Sequence, residues 1–227
     1  MTAVLAFTDL CSGYGDTEIL HGVSGKVLAG ETLGVFGRNG VGKTTLARTL
    51  IGELPTLNGE ISFCGQAFGK RASYDRRREG VSYMPQTGMV FDTLTVRENL
   101  SLANSVRSPE PYFEIFPRLA ERLDQQAGSM SGGERKILSF VRVMLEETTL
   151  TILDEPSEGV QPENIENMQR CIKEKQESGS AFILVEQNLT MLTSLAANYL
   201  GLDSGKVVFE RERSKCKREE LLDVLSV

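Results

Sequence analysis

The sequence predicts an α/β fold built around a mainly parallel sheet. Thr32–Phe36, 150–153 and Ala181–Val185 are short, mostly apolar runs, as strands buried on both faces require. Helical patterns lie between them, and such crossovers cover both faces of a parallel sheet. Size agrees: 227 residues, 40% hydrophobic and 25% charged, suit one large domain or two small ones with ample core.

Taken in order, the opening third reads as β-structure broken by glycine turns. Candidate strands are 4–9, 25–28, Thr32–Phe36 and 60–63, each bounded by Gly, Asn or Asp. A helix over 43–51 follows the glycine-rich turn after Phe36 and stops at Gly52, a good residue for ending a helix. Val81–Met84 is a short strand. Residues 87–129 lack strand alternation and contain Pro109, Pro111 and Pro117, so they read as an insertion of short helices. From Ser131, the residues Ile137, Phe140, Val141, Met144 and Leu145 recur at helical spacing and form one apolar stripe. Residues 163–177 alternate as a surface helix does, with Pro162 at its entry. The mixed-charge tail over 206–220 reads as a solvated hairpin and helix.

Composition excludes several classes. A net charge of −6 disfavours broad nucleic-acid binding, and none is expected. The longest apolar run falls far short of the ~18 residues that cross a bilayer, and the N-terminus carries Asp9 where a signal peptide stays apolar. The chain is therefore expected to be soluble and to meet a membrane only through a partner. Four isolated cysteines and one histidine, His21, make neither a zinc site nor a His-dependent hydrolase.

Gly37-Arg38-Asn39-Gly40-Val41-Gly42-Lys43-Thr44 fits G-x-x-x-x-G-K-[ST], entered by a strand and left by a helix. Glycines let successive N–H groups fold around phosphate at a positive helix end. Lys43 supplies charge to the β- and γ-phosphates, and the Thr44 hydroxyl is a Mg²⁺ ligand. The apolar strand ending in Asp154-Glu155 supplies the second element, since ligands of open α/β sheets bind beyond the carboxyl ends of the strands. Asp154 is the expected Mg²⁺ partner, and Glu155 the group that orients and polarises an attacking water. Ser131-Gly132-Gly133-Glu134 opens the long helix both as a capping box and as a second anion site.

Four stretches, GRNGVGKTT, YMPQ, SGGER and TILDEP, occur in an order and spacing that resemble the nucleotide-binding subunit of an ATP-binding cassette (ABC) transporter, across nearly the whole chain. The resemblance implies a P-loop NTPase core, an N-terminal antiparallel β-subdomain and a helical insertion subdomain. The expected division is 1–86 with 147–227 as core and 87–146 as the helical part. It implies that Gly37, Asn39, Gly40, Gly42, Lys43, Thr44 and Thr45 hold ATP, that Tyr14 stacks on adenine, and that Ser131, Gly132 and Gly133 cover the γ-phosphate of a partner's ATP. Glu155, Gln86 and Gln187 would serve catalysis, with Thr44, Gln86 and Asp154 around Mg²⁺. Gln86 would also sense membrane permease subunits.

Two positions depart from the family pattern. Gln161 stands where an Asp usually closes the loop after Glu155, and Gln187 where a switch His usually stands. An amide hydrogen-bonds a γ-phosphate but has no imidazole proton chemistry. EGVQP and VEQN resemble one of the two cassettes in importers of branched-chain amino acids and of urea or short amides. That favours a second cassette in a heterodimer over a homodimer. The rival readings are a non-transport ABC ATPase, as in cluster assembly, and a nucleotide-gated binding module with little catalysis.

Overall fold

The computed structural model describes residues 2–103 and 108–226. Two twelve-residue strands, β1 (Ala3–Tyr14) and β2 (Thr17–Leu28), pair antiparallel at the start. They are far longer than the alternation over 4–9 and 25–28 suggests. The pairing supplies the reason: register shifts interrupt the ladder after Ala3, Phe7, Leu10 and Ser12, and each shift resets the two-residue period. Next come β3 (Thr32–Phe36), the glycine turn and α1 (Lys43–Leu50). Strands β4 (Asn58–Phe63) and β5 (Gln66–Ala67) then complete a four-stranded antiparallel sheet in the order β2-β1-β4-β5.

Helix α2 (Ser73–Arg78), an addition to the expected set, leads into β6 (Val81–Met84). The insertion is helical as expected, with α3 (Val96–Ser101), α4 (Glu110–Ile115) and α5 (Pro117–Glu121); its residues 104–107 lie outside the described residues. Then α6 (Gly132–Leu145), β7 (Leu150–Asp154), α7 (Pro162–Glu177) and β8 (Ala181–Val185) alternate along the chain. Helix α8 (Leu189–Leu195) and strand β9 (Asn198–Asp203) are further additions, too short to show a period of their own. The tail is a hairpin and helix, but its hairpin begins one strand earlier than expected, with β9 pairing β10 (Lys206–Glu212) before α9 (Arg218–Ser226).

The second sheet runs β10-β9-β3-β8-β7-β6, parallel throughout except for the β9–β10 pair. Its alternating side chains feed two cores. Phe36, Met84, Leu153, Phe182 and Leu184 face the helical side, where Phe140, Val141 and Met144 of α6 pack with residues of α3, α5, α7 and α8. Val35, Ile152, Ile183 and Leu200 face the other side, against α1 and the antiparallel sheet. The helices between 87 and 146 thus share a continuous core with one sheet face. In register, Val35 lies opposite Val185 and Val185 opposite Asp154. The turn after β3, the carboxylates after β7 and the loop after β8 therefore emerge side by side.

Candidate active site

The turn from β3 to α1 is shaped by glycine. Gly37 has φ 148°, and a Cβ there would lie 2.3 Å from the Leu202 carbonyl oxygen; Gly42, the residue capping α1, has φ 108°. Gly42 brings no capping side chain, so the first-turn amides of α1 are offered to an anion. Lys43 folds back over this turn, its Nζ donating to the carbonyls of Gly37 (2.9 Å) and Arg38 (2.8 Å). Burial pushes its pKa below the usual lysine range, and Glu155 and Asp154 pull it back. The ammonium lies 3.5 Å from Glu155 Oε1.

Glu155 is the point of convergence. Its backbone is left-handed, φ 47°, a conformation that a non-glycine residue keeps only where its surroundings impose it. Gln187 Nε2 donates to Glu155 Oε1 at 2.9 Å and to Asn39 Oδ1 at 2.6 Å. Gln86 Nε2 donates to Glu155 Oε2 at 3.0 Å and to Glu158 Oε2 at 3.2 Å. The Gln86 amide thus spends both hydrogens on carboxylates, while that of Gln187 ties the Glu155 carboxylate to the Asn39 side-chain carbonyl of the loop. The neighbouring Asp154 is fully buried; the Tyr83 hydroxyl donates to its Oδ2 at 3.2 Å, while Oδ1 has no partner among the described residues. Burial raises the Asp154 pKa, with the Thr44 and Tyr83 hydroxyls drawing it down. An orphaned carboxylate oxygen beside the Thr44 hydroxyl fits a divalent cation. Among the described residues no three His, Cys, Asp or Glu side chains form a metal cluster, so such a cation would take further oxygens from a bound phosphate and water.

The turn has the form of a phosphate-binding loop with an acidic pair at its mouth, and comparison with known proteins gives the family. The ABC transporter family model matches residues 20–158, more than half of the chain. The chain belongs to the ABC transporter family. It is an ATP-binding, ATP-hydrolysing cassette of that family, similar to the high-affinity branched-chain amino acid transport ATP-binding protein BraG of Pseudomonas aeruginosa. The two are 35% identical over 212 residues, which make up 90% of this chain and 91% of BraG. Nod factor export ATP-binding protein I of Cupriavidus metallidurans is 29% identical over 98% of this chain and 74% of its own. Among solved structures, an ABC transporter ATP-binding subunit superposes with a TM-score of 0.86 at 26% identity, covering 97% of this chain and 99% of that one.

Within the cassette, Asn39, Lys43, Thr44, Gln86, Asp154, Glu155 and Gln187 come together. Gly40 lies on the same loop with φ 79°, and Thr45 is buried in the first turn of α1. Tyr14 stands exposed at the end of β1, its ring against the Arg48 guanidinium of α1 at 5.7 Å. Ser131 and Gly133, with Gly132 between them in the chain, are placed elsewhere: the two line a cleft shared with Phe116, Arg122, Gln161 and Asn164 that contains no residue of the phosphate loop. The capping box there is complete: Glu134 N–H donates to Ser131 Oγ, and Ser131 N–H to Glu134 Oε2. Gly133 has a packing reason that capping alone does not suggest, since a Cβ would lie 2.8 Å from the Gly159 carbonyl oxygen.

Sequence reasoning overlooks Glu186. Its buried carboxylate accepts from Ser157 N–H at 2.9 Å and from Gln187 and Asn188 N–H at 3.1 Å, clasping the loops after β7 and β8 together. It follows an apolar strand just as Asp154-Glu155 ends one, and that pattern was the available signal.

Proposed function

We propose that this cassette pairs head to tail with a second cassette and sandwiches ATP between them, driving uptake of branched-chain amino acids, urea or short amides through membrane permease subunits. The observation that carries the importer reading is the likeness to BraG over nine-tenths of both chains. In this scheme the residue 37–45 loop takes the triphosphate and Tyr14 offers its exposed face to adenine. The Ser131–Gly133 helix end of the opposite cassette covers the γ-phosphate, so neither surface alone satisfies the charge. Mg²⁺, held by Thr44, Asp154 and Gln86 with the phosphates, would neutralise charge on the leaving group.

Glu155 orients a water in line with the γ-phosphorus and draws on its proton. The bond from phosphorus to the β–γ bridging oxygen breaks, and inorganic phosphate leaves. Gln187 and Gln86, already on the two oxygens of Glu155, hold that carboxylate in register with the loop. Gln187 lacks a titrating ring, which favours a heterodimer whose second cassette supplies one. Residues 1–86 and 147–227 would form the core, with 87–146 the helical part that moves against the permease. Among the described residues no helix is long and apolar enough to cross a membrane, in keeping with attachment at the inner face of the membrane through permeases.

The test is Glu155→Gln in the cassette assembled with its partner. ATP binding should persist and the closed dimer should strengthen, while turnover falls at least about 100-fold, the scale of a lost general base. Wild-type turnover would remove Glu155 from this role. For direction, accumulation of labelled leucine or urea by vesicles carrying the assembly supports import. ATP-dependent loss of label from preloaded vesicles, without uptake, supports export.

A further inference from the structure

Helix α6 buries an apolar stripe, and two charged side chains, Lys136 and Arg142, go in with it. Lys136 is 7% exposed, between Arg135, which donates to the Met130 carbonyl, and Ile137 in the core. Its ammonium donates to the backbone carbonyl of Gln86 and lies 3.9 Å from Glu158 Oε2. Gln86 in turn is the residue whose amide bridges Glu155 and Glu158. The chain of contacts therefore runs from the α6 backbone through Lys136 to the Gln86 main chain, and from the Gln86 side chain to the hydrolytic carboxylate.

Burying an ammonium against one carbonyl and a carboxylate that is itself mostly exposed is a poor way to stabilise a core; an apolar side chain of like shape serves at least as well. Its value lies in direction. Gln86 follows β6 and Pro85, outside the sheet ladder, so the strand does not hold its main chain. The Lys136 tether does. Lys136 also rides on the helix that begins at Ser131, about 7.5 Å away along the axis at 1.5 Å per residue. Helix end and tether move as one rigid rod.

We infer that Lys136 is a positioning residue for hydrolysis: by fixing the Gln86 main chain to helix α6 it keeps the Gln86 amide on Glu155. This rests on Glu155 being the carboxylate that orients water. Lys136 touches neither nucleotide nor water in this account, so its loss should appear in the rate of the chemical step and not in binding.

The experiment compares Lys136→Met, which removes the donor at constant length, with Lys136→Gln, which keeps an N–H donor without the charge. Lys136→Leu serves in place of Met should Met pack badly. Each full-length variant is assayed with its paired cassette for kcat and KM of Mg²⁺-ATP hydrolysis, for affinity by titration with a fluorescent ATP analogue, and for Tm. Lys136→Met should lower kcat about tenfold, the scale of a displaced catalytic group, with KM and nucleotide affinity within about twofold. Lys136→Gln should regain at least half of the wild-type kcat. Wild-type kcat in Lys136→Met, a matching loss of nucleotide affinity, or equal kcat and Tm losses in Met and Gln variants would each overturn the inference. Glu155→Gln is run alongside: if it hydrolyses normally the site assignment fails, whereas a dead Glu155→Gln with a normal Lys136→Met sinks this inference alone.

Discussion

Among the described residues Arg76 is the largest fully buried side chain, and none of them gives it a carboxylate partner. Its guanidinium donates instead to four carbonyls: Thr49 (2.8 Å) and Leu50 (2.7 Å) at the end of α1, and Gly69 (2.8 Å) and Arg71 (2.9 Å) in the approach to α2. Its charged plane also lies over the Phe68 ring at 5.0 Å. Burial brings its pKa down to about 10, so it remains charged at neutral pH. Helix ends leave carbonyls that need donors, and here one side chain supplies them for two segments at once. Arg76→Met should destabilise by about 3 kcal/mol, through several carbonyls left unsatisfied in the interior, and a lowered urea midpoint with unchanged m-value would measure it. Nothing in the run SYDRRREG distinguishes this arginine from Arg77 or Arg78. Residues whose role is set by what the rest of the chain brings to them, Arg76 and Lys136 among them, leave no local mark. Glu155 and Lys43 do, because phosphate chemistry demands their type at a fixed spacing.

At the level of elements, local grammar and packing agree where a helix or strand is long enough to repeat. Helix α1 ends as Gly52 promises: Gly52 N–H bonds the Thr49 carbonyl and Glu53 N–H the Arg48 carbonyl, the paired bonds of a Schellman ending, with Gly52 at φ 77°. A Cβ there would meet Arg76 Nε at 2.9 Å and the Arg71 carbonyl at 3.0 Å. Gly52→Ala should therefore lose about 1 kcal/mol to the left-handed backbone and more to the crowded arginine, about 2 kcal/mol in all, visible as a lower Tm. The capping box at Ser131, the proline entry of α7 and the buried strands β7 and β8 were equally legible. The β1–β2 hairpin was not, because its register shifts break the alternation that marks a strand. Helices α2 and α8, six and seven residues long, span too few turns for a period to emerge.

Over the whole molecule, the phosphate loop sits where two cores meet across one sheet. Phe36, the last residue of β3, belongs to the helical-side core, whereas Val41 within the loop and Leu46 just beyond it belong to the other. A ligand gripped by the loop therefore stabilises both halves together. At a hundredfold excess over its dissociation constant, ATP should add about 2.7 kcal/mol, which for a domain of this size raises Tm by about 5–10 °C. Lys43→Ala should weaken binding and abolish most of that shift at the same nucleotide concentration. A shift of full size in Lys43→Ala would mean that the nucleotide binds elsewhere.

The chemistry of this cassette was written locally: a glycine turn with lysine and threonine, an apolar strand ending in two carboxylates, and a capped helix opening with serine and glycines. Each is readable because helix capping, and the phosphate binding and water activation proposed for the site, constrain neighbouring residues. Which amides hold Glu155, and which buried charge steadies them, depended on the parallel register that aligns the ends of β3, β7 and β8 and on helix α6 packed across the sheet. Those partners lie 32 to 148 positions apart in the chain, too far for any local pattern to record them, as with Gln187 meeting both Asn39, 148 positions away, and Glu155.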